Sequence, residues 1–113
     1  MASAIDRKEA IRKFKERKTP RGAFAVRCRA TGRVWVGASR NLDAARNGAW
    51  FCLRQGGYYD KSLQAEWNAQ GEAAFEYEVL ERIEDDVAPL AVPDLLKETA
   101  ARWVERLGAR LLP

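Results

Sequence analysis

Apolar and polar positions change their period several times along the chain, and each change marks an element. Residues 4–18 are rich in helix formers, with Ala10, Ile11 and Phe14 as a thin apolar stripe in a basic surface, which predicts a short basic helix. Pro20 and Gly22 end it. From Ala23 to Ala30, Phe24, Val26 and Cys28 alternate with Ala25, Arg27 and Arg29, the period of a strand with one buried face. Thr31-Gly32 supplies a turn and residues 33–39 resume the strand pattern, so residues 23–38 read as a β-hairpin. Ser39 or Asn41 is placed to cap a helix carrying Leu42, Ala45, Ala49 and Leu53 at helical spacing. The paired glycines of residues 55–60 make a loop, and Asp60 or Ser62 opens a second helix that Gly71 closes. Residues 75–80 alternate as a third strand. After an acidic, proline-bounded connection, Leu95, Leu96, Ala100, Trp103, Val104 and Leu107 describe a last amphipathic helix.

The predicted order, α-β-β-α-α-β-α, is an α+β domain. A three-stranded antiparallel sheet is flanked by helices, and a basic extension over residues 1–19 precedes a core of residues 20–109. At 113 residues and 47% apolar content the chain can build one core, and a second domain is not expected. No apolar run is long enough for a signal peptide or a membrane span, so the expected location is the cytoplasm, with no membrane partner. Cys28 and Cys52 lie among apolar residues and read as reduced, packed thiols.

Charge and missing residue types narrow the chemistry. The chain has no histidine, which removes His-based acid–base pairs, Ser-His and Cys-His nucleophile systems and mixed Cys/His zinc sites. A hard cation on carboxylate oxygens stays possible. Residues 1–40 carry twelve Lys or Arg against three Asp or Glu, whereas residues 41–113 carry eight against thirteen. So lopsided a basic end is an electrostatic footprint of nucleic-acid binding, because cations placed near phosphates release condensed counterions.

Three short stretches then stand in a recognisable order. Gly22-Ala23-Phe24 opens the hairpin, Trp35-Val36-Gly37 lies on its second strand, and Asn41-Leu42 starts the helix that follows. With the stretch from Ser62 to Gly71 running into Phe75–Glu81, this spacing resembles the GIY-YIG nuclease family over about residues 20–107. Each motif alone is common; their joint spacing across three strands is specific.

The resemblance implies a divalent-metal-dependent endonuclease that hydrolyses DNA phosphodiesters with Mg²⁺ or Mn²⁺. In such enzymes a Glu on the last helix holds the metal, a Tyr assists water attack and an Arg stabilises phosphate charge. Carried over position by position, the motif tyrosines are Phe24, which lacks a hydroxyl, and Trp35, whose indole N–H can only donate. The family arginine falls on Ala45; Arg46, one residue on and about 100° around the helix, and Arg40 at the hairpin exit are the candidates for its role. Tyr58 stands where many members keep a histidine, and Glu98 is the best match for the metal-binding carboxylate. Trp50, Trp67 and Trp103 read as core. Arg27 and Arg29, alternating away from the Phe24 face, are expected to share a side of the sheet with Trp35. Together with Arg33 and Arg40 they form the expected DNA-contacting set. Two functions follow: a nuclease if the site assembles, or a catalytically silent nuclease-fold module that binds nucleic acid or a protein partner.

Overall fold

The computed structural model describes residues 19–84 and 86–112; the expected basic helix over 4–18 lies outside them. Strands β1 (Gly22–Cys28) and β2 (Val34–Ser39) form the antiparallel hairpin, helices α1 (Leu42–Gln55) and α2 (Lys61–Gln70) follow, and β3 (Phe75–Arg82) returns beside β1. Helix α3 (Val92–Leu107) and the two-residue strand β4 (Arg110–Leu111) complete the order. The sheet runs β3-β1-β2-β4. Its first three strands are antiparallel, as the sequence predicts, while β4 adds a fourth strand parallel to β2, pairing Trp35 with Arg110 and Val36 with Leu111. Two residues carry too little alternation to announce a strand, but the backbone of β4 satisfies the open edge of β2, and Leu112 N–H donates to the Val36 carbonyl at 2.7 Å.

Both faces of the sheet are covered. Phe24, Val26, Cys28 and Trp35 point to one side, where they meet Leu42, Trp50 and Leu53 of α1, Leu63 and Trp67 of α2, and Phe75. On the other side the small residues Ala25, Val36 and Ala38 let α3 lie close, with Ala100, Trp103, Val104 and Leu107 against them. Trp50 and Trp67 are therefore core, edge-on to each other with ring centroids 5.5 Å apart. Trp103 packs on the second face, half-buried, with its indole N–H donating to Glu81 Oε1 at 2.9 Å.

Caps settle what the sequence left open. Asn41, not Ser39, caps α1, its Oδ1 accepting from Ala44 N–H at 2.9 Å, and Asp60, not Ser62, caps α2 by accepting from Leu63 N–H at 3.0 Å. Both motif glycines answer to close approach. A Cβ on Gly22 would lie 1.9 Å from the Glu81 carbonyl oxygen, and one on Gly37 would lie 2.7 Å from Phe24 Cζ.

One expectation is corrected by the hairpin register. Val26 faces Trp35 and Arg27 faces Val34, so Trp35 shares its side with Phe24 and lies opposite Arg27. The turn closes with Cys28 N–H donating to the Arg33 carbonyl, leaving four residues between them, and a register shifted by one residue exchanges the two faces.

Candidate nucleic-acid interface

The two aromatic motif positions serve packing. Phe24 is buried and stacks on Tyr77, with centroids 5.2 Å apart and rings 25° from parallel. The stacked Tyr77 brings a hydroxyl to this region that alternation, which marks it only as a strand position, does not announce. It donates to the Leu42 carbonyl at 2.8 Å, and its pKa is pushed up to about 12 by burial and then by the nearby Asp43 carboxylate. Trp35 is only 1% exposed. Its indole N–H donates to Ser62 Oγ at 2.8 Å, and Ser62 in turn donates to Asp60 Oδ1 at 2.8 Å. Arg110 Nε reaches Asp60 Oδ2 at 3.3 Å, tying β4 to the same carboxylate. Burial works against the charge on Asp60, but hydrogen bonds from Leu63 N–H, Ser62 and Arg110 prevail and hold its pKa below the ordinary carboxylate value. The second-motif indole thus anchors a structural network.

Tyr58 is buried in the loop before α2, where its N–H donates to Gln64 Oε1 at 3.0 Å and its ring lies 4.5 Å from that of Tyr59. Burial, reinforced by Tyr59 and by the carboxylate of Asp60, pushes its phenol far above the usual value, so it stays protonated and cannot act as a base near neutrality. Tyr59 is the exposed partner.

The expected cationic surface is largely engaged within the protein. Arg27 pairs with Glu78, Arg29 Nη2 donates to the Ala73 carbonyl at 2.6 Å, and Arg33 lies 3.7 Å from Glu66 Oε1 with its guanidinium over the Trp35 ring. Arg46 stacks over Trp50 at 5.5 Å on the outer side of α1. Arg40, one residue past β2, makes no ion pair with a described carboxylate.

Glu98 does not join these groups. Leu96, Thr99 and Ala100 form the buried stripe of α3, and successive residues turn by about 100°, so Glu98 points about 160° away from both Leu96 and Ala100. It is exposed, and among the described residues no three Cys, Asp or Glu side chains converge where they could hold an ion. Among the described residues, then, no such group of carboxylates stands beside the hairpin exit.

What the hairpin exit and α3 do enclose is a groove of about 590 Å³. Its floor is aliphatic, from Ala38, Leu96, Ala100, Ala101, Leu111 and Leu112, with Pro93 at one end. Arg40 stands on the strand side and Lys97 on the helix side, and among the described residues no carboxylate lines it. The structure brings only one of the expected site residues here, Arg40; Lys97 joins it from α3 and was not among them.

No family model and no curated protein matches the chain. Among solved structures, the catalytic domain of the homing endonuclease I-TevI is similar with a TM-score of 0.69, covering 82% of this chain and 98% of that domain at 22% identity. A mutant of the catalytic domain of the intron endonuclease I-TevI gives 0.67 at 23% identity, over 80% of this chain and 86% of that one. The chain has a GIY-YIG-like nuclease fold. On that fold, the glycines of the hairpin motifs let strands and rings approach, and the rings of Phe24 and Trp35 pack in the core.

Proposed function

We propose that this chain is a nuclease-fold module that binds nucleic acid without cutting it, meeting the phosphate backbone at the mouth of the groove between α3 and the β2–β4 edge. One observation carries the reading. Where the fold brings the hairpin exit against the last helix, the side chains facing the groove are aliphatic, and the charged groups left at its mouth are the cations Arg40 and Lys97. An uncharged aliphatic wall can neither hold a metal nor move a proton, whereas two cations without a described acid partner attract phosphate. The fold neighbours, both endonuclease domains, and the +9 charge of residues 1–40 support a nucleic-acid ligand.

The test is a titration of labelled oligonucleotide, followed by fluorescence anisotropy across a range of salt concentrations. Binding that weakens linearly in log–log coordinates is expected, and Arg40→Ala and Lys97→Ala should each lower the slope by about 0.7–0.9. Absence of binding at low ionic strength, for single and double strands alike, overturns the proposal.

A further inference from the structure

Resting on that reading, we infer that the groove takes an unstacked base from a single strand, with flanking phosphates on Arg40 and Lys97. The groove is too apolar to receive phosphate itself: Ala38, Leu96, Ala100, Ala101 and Leu112 offer no hydrogen-bond donor, so charge stays at the mouth. Its volume of about 590 Å³ lies within the range of small-ligand clefts, and its cations stand on opposite walls. That order, charge, apolar slot, charge, matches a strand in which each flat base, its faces packing on aliphatic groups and its polar edge left to water at the open side, hangs between two phosphates. Leu111, one of the residues lining the groove, is itself 50% exposed on β4. In a duplex the bases are stacked and paired, and bringing one into the slot costs several kcal/mol of unstacking, so the single strand is the favoured ligand. The absence of polar side chains on the floor makes the slot indifferent to base identity.

The experiment compares, for the full chain, anisotropy titrations of a labelled single strand, the same sequence as duplex, and a single strand of abasic sugar-phosphate units. Wild type is set beside Ala101→Leu, which narrows the slot at an exposed helical position without adding charge or a stacking ring, its fold checked by circular dichroism. The single strand should bind about tenfold more tightly than duplex or abasic strand, and Ala101→Leu should erase that difference. If duplex and abasic strand bind as well as the intact strand, or if Ala101→Leu changes nothing, the slot is not a base site and phosphate contact alone remains. If no oligonucleotide binds at low ionic strength, the nucleic-acid reading falls with the inference, and the groove belongs to an acidic, apolar protein partner.

Discussion

Replacing Gly37 by Ala tests whether the hairpin motif has been kept for packing. The backbone at Gly37 is not among the glycines with positive φ, so Ala is conformationally acceptable, and on entropy alone it should stabilise the strand by about 0.5–1 kcal/mol. The new Cβ, however, would lie 2.7 Å from Phe24 Cζ, 3.1 Å from Phe24 Cε1 and 3.4 Å from Leu112 Cβ. The Phe24 ring is held from the other side by its stack on Tyr77, whose hydroxyl is fixed to the Leu42 carbonyl, so it has little room to retreat. Overpacking of this kind costs about 1–3 kcal/mol, which leaves a net loss of up to about 2.5 kcal/mol, centred on about 1 kcal/mol, and a melting temperature lower by about 5 °C. Urea and thermal unfolding of Gly37→Ala, Phe24→Leu and the double variant measure it. Leu lacks the ring atom that clashes, so the Ala substitution should become neutral or stabilising in the Phe24→Leu background, a coupling of about 1–2 kcal/mol. A Gly37→Ala protein that melts higher than wild type, or that loses equal stability in both backgrounds, refutes the reasoning.

Two further outcomes follow from the buried polar groups. Asp60→Ala removes the α2 cap and strands Ser62 and Arg110, and should cost about 2–3 kcal/mol, while Asp60→Asn keeps the cap and should lose less. Because the folded carboxyl titrates below its unfolded value of about 4, its contribution is complete above that pH and disappears as pH falls through the folded pKa. The gap between wild type and Asp60→Asn in denaturant titrations should therefore close in acid; a gap that persists contradicts the assignment. In an alkaline titration followed by phenolate absorbance, Tyr58 and Tyr77 should ionise only well above the ordinary value of about 10, with Tyr58→Phe and Tyr77→Phe identifying their signals. A Tyr58 signal near neutrality would restore it as a candidate base.

The sequence made most of the fold legible because local signals agreed with one another. Alternation in Phe24–Cys28, capping residues ahead of both middle helices, and the apolar stripe from Leu95 to Leu107 each pointed to the element observed. Strand β4 was illegible because what creates it is an edge needing a partner, a tertiary fact that two residues cannot encode. The faces of the hairpin were misassigned for a similar reason: alternation tells which residues share a side within one strand, while the relation between strands depends on the length of the turn. At the site, the substituted motif positions were plain from residue identity, but not what the new residues do. Nothing local in the sequence says that the Trp35 indole N–H is committed to Ser62, or that Arg27, Arg29 and Arg33 find partners on β3, on the turn before it and on α2. Glu98 matched by element and neighbourhood, yet helical phase decides where it points, and the phase of α3 is set by Leu96, Thr99 and Ala100. Lys97 escaped notice because its meaning comes from Arg40 across a groove that exists only once α3 is docked.

The most direct test of the central claim is a cleavage assay with purified protein and labelled single- and double-stranded DNA, in Mg²⁺, in Mn²⁺ and in chelator, with binding measured in the same samples. DNA should be bound and left intact under all three conditions, and Glu98→Ala should change neither result. Metal-dependent cutting that chelator stops and Glu98→Ala abolishes would contradict it.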